Sequence, residues 1–188
     1  MKRAFSRRLQ IVIAALVILM LPPAGYFGMY LRVQGNFHPI TTGEAYRSAK
    51  LHRDKLEYYV KKYNIKSIVN LIGEDPQKPW YREELEVSAA LKLRHYDLSL
   101  SATEEPTKED VQNLMEIFET APRPVLIHCK GGSDRSGLVA AMWKVVVDKE
   151  PKSEANKQLS IVYGHFPIGG TSTLDRFFEK WDPTVEPR

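Results

Sequence analysis

Cysteine is almost absent from this chain: there is one among 188 residues, Cys129. An intramolecular disulfide is therefore excluded, and the fold must rest on packing alone. Acidic residues are missing before Glu44, whereas Lys2, Arg3, Arg7 and Arg8 crowd the N-terminus. Without those four the chain balances at 23 basic and 23 acidic residues, so the body carries no net charge. That removes the usual electrostatic case for nucleic-acid binding. No internal repeat or low-complexity tract is present. A hydrophobic content of 43% and a length of 188 residues suit one packed domain with an appendage.

The lone cysteine lies in the most informative stretch, His128-Cys129-Lys130-Gly131-Gly132-Ser133-Asp134-Arg135-Ser136-Gly137. A short apolar run, Pro124 to Ile127, leads in, and an apolar helical pattern, Leu138 to Val147, leads out. Strand, glycine-bearing loop and helix N-terminus together make an anion nest, in which backbone N–H groups converge and the helix adds positive potential. Gly131 and Gly132 let the backbone approach the ligand closely. The same field favours the thiolate form of a cysteine placed there. Arg135 offers a planar fork to two phosphate oxygens at once. His128 sits behind the loop, where it can fix loop and thiolate, and Ser136 brings a hydroxyl toward the sulfur. The outgoing helix is apolar nearly all round, so it is buried and holds its N-terminus rigidly. A structural cysteine beside a capping loop is the bland alternative, and a rhodanese-like sulfur-transfer loop is another. The His before the cysteine and the Arg-Ser-Gly after it favour phosphate.

These residues resemble the His-Cys-x-x-Gly-x-x-Arg-[Ser/Thr] signature of the protein tyrosine and dual-specificity phosphatase superfamily. Every fixed position matches: His128, Cys129, Gly132, Arg135 and Ser136. The resemblance covers roughly residues 35–182. It implies an α/β fold, with a central, mostly parallel sheet flanked by helices. It also implies phosphomonoester hydrolysis through a phosphocysteine, without metal or cofactor, since nest and arginine supply the positive charge. Lys130, Gly131, Gly132, Ser133 and Asp134 form the phosphate-binding loop. Family members usually take the leaving-group proton from an aspartate roughly thirty residues before the cysteine. Asp97 lies at that distance, with Glu104 and Glu105 next in line. The Trp-Pro-Asp loop of receptor-type tyrosine phosphatases is absent, which places the chain nearer the compact dual-specificity group. Ala45-Tyr46-Arg47-Ser48-Ala49 resembles a Tyr-Arg-Ser segment of atypical members; Arg47 lies near the site or forms a structural ion pair.

Along the body, strands alternate with helices, as an α/β sheet covered on both faces requires. The pattern predicts helices over His52–Tyr63, Trp80–Leu91, Thr107–Thr120, Arg135–Val147, Ser153–Tyr163 and Leu174–Trp181. Strands are expected at Ile65–Ile72, Leu93–Leu100 and Pro124–His128, after a linker and entry strand from Val33 to about Gly43. Thr107 with Asp110 has capping-box spacing. Glu74 and Asp75 are turn residues that border the pocket or merely close the loop. His165 and Phe166–Gly170 either rim the pocket or join two helices.

Between Arg8 and Arg32 lie 23 residues with no charge. As helix they span about 35 Å, enough for a bilayer core of roughly 30 Å. Leu9–Leu21 is the densest part, Pro22-Pro23 interrupts it, and Tyr26, Phe27 and Tyr30 suit an interfacial belt. We read residues 1–32 as an uncleaved signal anchor with a transmembrane helix and 33–188 as the phosphatase domain. A cleaved signal peptide and a mitochondrial-type presequence are the other readings. The positive-inside rule keeps the basic end in the cytoplasm. The protein is then a single-pass inner-membrane protein with its catalytic domain outside the cytoplasm. Two substrate classes fit: a phosphorylated protein side chain, or a membrane phosphate such as a phospholipid headgroup, which the anchor and Lys130 favour. A non-catalytic phosphate-binding module is the third reading, disfavoured by the intact Cys129 and Arg135.

Overall fold

Val125-Leu126-Ile127 is apolar without alternation, as a strand buried on both faces must be. It opens the central strand of a five-stranded sheet. The structure is a computed structural model that describes residues 9–16, 19, 25, 28–29 and 33–183. In chain order the strands are β1 (His38–Thr41), β2 (Ala45–Ala49), β3 (Ser67–Asn70), β4 (Arg94–Asp97) and β5 (Val125–Cys129). The helices are α1 (Arg53–Tyr63), α2 (Pro79–Ala90), α3 (Lys108–Thr120), α4 (Arg135–Val146), α5 (Lys152–Ala155) and α6 (Ser172–Lys180). The sheet order is β1-β2-β5-β3-β4, with β1 antiparallel to β2 and the other pairs parallel. The expected mostly parallel sheet flanked by helices is therefore present.

Alternation along the strands divides the interior into two layers. Leu126, Ile68 and Tyr46 face Leu56, Tyr59 and Val60 of α1 and Val87 of α2. Val125, Ile127 and Cys129 face the other way, into a core built with Leu114 and Phe118 of α3, α4, and Phe178 of α6. Helix α4 is buried from Ser136 through Trp143, which fixes the element that carries the loop. Thr107 caps α3 as its spacing predicts: its hydroxyl accepts from the Asp110 N–H (3.1 Å), and Asp110 accepts from the Thr107 N–H (2.8 Å).

The structure differs from the sequence pattern in two places. The helix expected over Ser153–Tyr163 is only α5, followed by single 3-10 turns at Asn156–Gln158 and Ile161–Tyr163. The Gln158 and Tyr163 carbonyls are drawn off to side chains of β2 and of the segment before β1, which a continuous helix would forbid. Ala45–Ala49 forms β2, buried along almost its whole length.

The chain falls into two compact units, Met1–Gln34 and Gly35–Arg188. Among the described residues no helix is long and apolar enough to cross a membrane. Of the spanning segment expected over residues 9–31, eleven positions lie outside the described ones, Tyr26, Phe27 and Tyr30 among them, and so do the four basic residues.

Candidate active site

The loop after β5 turns its carbonyls outward. The Gly131 carbonyl accepts from Asn36 Nδ2 at 3.1 Å, and the Gly132 and Ser133 carbonyls accept from Arg47 Nη2 at 3.0 and 2.9 Å. In a trans peptide the N–H points opposite to the C=O. The N–H groups of Gly132, Ser133 and Asp134 therefore point away from those side chains, into the loop. The first of them donates to Cys129 Sγ at 3.2 Å. This is the nest that the sequence predicts, and its ordering comes from outside the loop.

Arg47 is fully buried. Besides the two loop carbonyls, it donates through Nη1 to the Gln158 carbonyl at 2.7 Å and to Gln158 Oε1 at 3.0 Å. Of the two readings of Arg47, the structure bears out the first: the guanidinium lies at the site, as a strut beneath the loop, and makes no ion pair among the described residues. Burial pushes it down to about 10, against the opposing pull of Cys129, Tyr163 and Asp134, so it stays a cation at neutral pH. Gly137 makes room for it, because a Cβ there would stand 2.9 Å from Arg47 Nη2. Gly132 has φ +72°, and a Cβ on it would lie 2.7 Å from the Ser48 carbonyl carbon and closer still to the Ala49 nitrogen. The obstruction is the backbone of β2, which cannot swing aside.

Cys129 is buried at the end of β5, and Ser136 Oγ stands 3.4 Å from its sulfur. Arg135 opens α4 and donates through Nη1 to the carbonyls of Leu71 (3.1 Å) and Leu100 (3.2 Å). Those bonds tie the catalytic loop to the turns that follow β3 and β4. The Nε–Nη2 edge of the fork takes no part in them. Lys130 and Gly131 are exposed, whereas Ser133 and Asp134 are half-buried.

His128 points to the opposite face from Cys129, into a buried polar network. Its Nε2 lies 3.0 Å from Glu84 Oε1, and His95 Nε2 lies 2.9 Å from the same oxygen. His95 Nδ1 in turn faces Asp97 Oδ2 at 3.2 Å. Asp97 also accepts from Asn70 Nδ2 (2.7 Å) and the Tyr81 hydroxyl (2.8 Å). Burial works to raise the Glu84 carboxyl, but the two imidazoles prevail and hold it at about 2. Burial works to lower His95, but Asp97 and Glu84 raise it to about 9. Asp97 is likewise held below the usual carboxylate range, its three donors outweighing burial. The structure thus brings Asp97 together with His128 and not with Cys129. His95 and Asp97 share a face of β4 because they are two residues apart, and Glu84 links that face to His128.

Glu104 and Glu105 are exposed on the segment after β4, just beyond the Leu100 carbonyl that receives Arg135. Glu105 reaches Lys180 at 3.7 Å. Glu74 lines a cleft with His95, Asp97 and Glu116. Among the described residues no group of histidine, cysteine and acidic side chains is arranged to hold a metal ion. Sequence reasoning missed Asn36, Glu84 and Gln158, which are joined across more than forty positions to the loop, to His128 and to Arg47 respectively. Only Glu84 carried a signal: it occupies an inward position of α2, in line with Tyr81, Val87 and Ser88.

Loop and sheet together have the pattern of the cysteine-based, dual-specificity phosphatase-like superfamily. The model of one family, a DSP-PTPase phosphatase fused to NAD+ kinase, matches residues 41–168, and the chain belongs to that family. Inositol diphosphatase SIW14 of Saccharomyces cerevisiae is 27% identical over 102 residues, which are 52% of this chain and 35% of that protein. The match thus spans about a third of that relative's length. The crystal structure of the core catalytic domain of the PP-IP phosphatase SIW14, in complex with citrate, superposes with a TM-score of 0.65 at 22% identity, covering 78% of this chain and 85% of that one. TpbA of P. aeruginosa in complex with pTyr gives 0.63 at 22% identity, covering 79% and 85%. At such identities the structural likeness carries the fold alone.

Proposed function

We propose that this chain is a metal-independent phosphomonoester hydrolase working through a phosphocysteine intermediate, with side-chain phosphates of proteins as its first substrate class. The carrying observation is the Gly132 N–H on Cys129 Sγ, in a loop whose carbonyls Arg47 and Asn36 draw outward. The Cys129 thiolate attacks phosphorus in line. The bond to the leaving oxygen breaks, and that oxygen takes a proton from a carboxylic acid. Arg135 and the loop N–H groups stabilise the three equatorial oxygens. Water then attacks the phosphocysteine, releasing inorganic phosphate and the thiolate, whose departure Ser136 assists. His128 fixes the end of β5.

The acid belongs on the loop after β4, which Arg135 already touches, and Glu104 is its first candidate. The Asp97 carboxylate is committed to three donors on the far face of the sheet. The test is hydrolysis of an aryl phosphate by the full chain in chelator and reductant. Turnover is expected with the native sequence and none with Cys129→Ser. An inert native protein, or an active Cys129→Ser variant, overturns the assignment.

A second substrate reading, a membrane phosphate, has its own support. Ile161, Val162, Phe166 and Ile168 are 59%, 59%, 50% and 76% exposed, on the segment that holds His165 against the loop. Within that segment, the Tyr163 carbonyl shares Asn36 Nδ2 with the Gly131 carbonyl of the loop. Phosphate release from a phosphotyrosine peptide, compared with release from phosphatidyl headgroups in mixed micelles, separates the two readings.

A further inference from the structure

His165 has no exposed surface, yet both ring nitrogens face carboxylates: Nδ1 lies 2.7 Å from Asp134 Oδ1 and Nε2 lies 3.0 Å from Asp175 Oδ2. Ionised carboxylates only accept, so both nitrogens must donate, and the ring is an imidazolium. Its backbone N–H is fixed on the Ser160 carbonyl at 3.1 Å. Asp134 is the residue immediately before Arg135, at the N-terminal cap of α4, and its side chain is 30% exposed. A carboxylate at that place opposes an incoming phosphate. It also competes with the phosphate for Arg135, and Arg47 feels its charge from beneath. The imidazolium answers both problems at once: it neutralises Asp134 and engages its Oδ1 at 2.7 Å. Asp175, on α6, supplies the second contact that fixes the ring.

We infer that His165, bridged between Asp134 and Asp175, is a positioning residue that keeps the Asp134 carboxylate from opposing phosphate in the loop. The inference rests on the reading of that loop as a phosphate site. It also gives the segment between α5 and α6 a role: to deliver one buried cation to one loop carboxylate.

The test is binding of inorganic phosphate to full-length Cys129→Ser protein by calorimetry, which needs no turnover. Adding His165→Gln keeps a hydrogen-bonding side chain but removes the charge. Binding should weaken about tenfold, as a like charge left uncompensated beside the anion requires. Adding Asp134→Asn to that protein should restore affinity to within about threefold of Cys129→Ser alone, because the repelling charge is gone. Asp175→Asn, which leaves the Asp134 contact in place, should weaken binding less than His165→Gln. A purely structural role for His165 would lower the melting temperature and would not be rescued by Asp134→Asn. Phosphate binding unchanged by His165→Gln, or a defect that Asp134→Asn fails to rescue, overturns the inference. If His165→Gln does not fold, Asp175→Asn with and without Asp134→Asn poses the same question, and no rescue there overturns it equally. Failure of Cys129→Ser protein to bind phosphate at all is a different result, which overturns the phosphate-site reading itself.

Discussion

Gly132 is where the demands on one residue are sharpest. Its φ of +72° belongs to the left-handed region, and the β2 backbone occupies the place of a side chain. Its N–H is the one that reaches Cys129 Sγ. Gly132→Ala should therefore lower kcat by about 10²-fold or more, the scale of losing an oxyanion-hole donor, measured with an aryl phosphate. A variant within a few-fold of native would show that the loop tolerates displacement. Arg47 makes the same point from below. Lys cannot reach four acceptors spread over Gly132, Ser133 and Gln158 with one ammonium. Arg47→Lys should leave buried carbonyls unpaired at about 1–3 kcal/mol each, seen as a large fall in melting temperature together with lost activity. Loss of one without the other would separate the strut from the nest. The acid is the third matter at this scale. Glu104→Gln should slow hydrolysis most for poor leaving groups, whereas Asp97→Asn should lower stability and leave the leaving-group dependence unchanged. The opposite pattern would return the acid to Asp97. The loop residues were legible in the sequence because their chemistry is local, ten consecutive positions with one geometry. Asp97 was read from distance along the chain, which says nothing about the face of the sheet on which a side chain emerges.

At the scale of elements, the polar network between α2, β3, β4 and β5 replaces apolar packing behind the site. Glu84 sits at about 2 in the fold against an ordinary 4.5, so its contribution is whole above about pH 4.5 and is lost as pH falls through about 2. His95 sits at about 9 against 6.5, so its contribution is whole below pH 6.5 and is lost as pH rises through about 9. The melting temperature should therefore be highest between about pH 4.5 and 6.5 and decline on the alkaline side. His95→Gln should shrink that alkaline decline without steepening the acid one. Thermal unfolding followed across this range checks it, and an unchanged alkaline limb in the variant would remove His95 as its source. The central strand, the capped α3 and the buried α4 were all visible as runs and periods in the sequence. β2 was not, because Arg47 and Ser48 are buried there as polar residues and break the apolar alternation that marks a strand. The stretch after α5 departs from its helical pattern for a related reason. Its helical periodicity is real, but its carbonyls serve Arg47 and Asn36 instead of the next turn.

At the scale of the whole molecule, the remaining question is where the site stands in the cell. The body is electrically balanced, so charge gives it no reason to approach a membrane or nucleic acid. The N-terminal segment, whose 23 uncharged residues follow four basic ones, is the feature to test as what places it. If that segment spans a bilayer, the full chain should stay with the membrane fraction through alkaline carbonate extraction. The positive-inside rule then fixes the side. A reporter that is active only outside the cytoplasm, fused after Arg188 and expressed in a Gram-negative host, should be active, and a cytoplasm-only reporter should be silent. Replacing Lys2, Arg3, Arg7 and Arg8 with Gln should weaken or reverse that preference, since no other charge precedes Arg32. Release by carbonate would remove the anchor, while retention with an active cytoplasmic reporter would keep the anchor and invert the orientation. The orientation also bears on the chemistry. In an oxidising compartment the lone Cys129 has no internal partner with which to form a protective disulfide, so peroxide should inactivate the enzyme through its sulfenic acid, and only an added thiol should restore it.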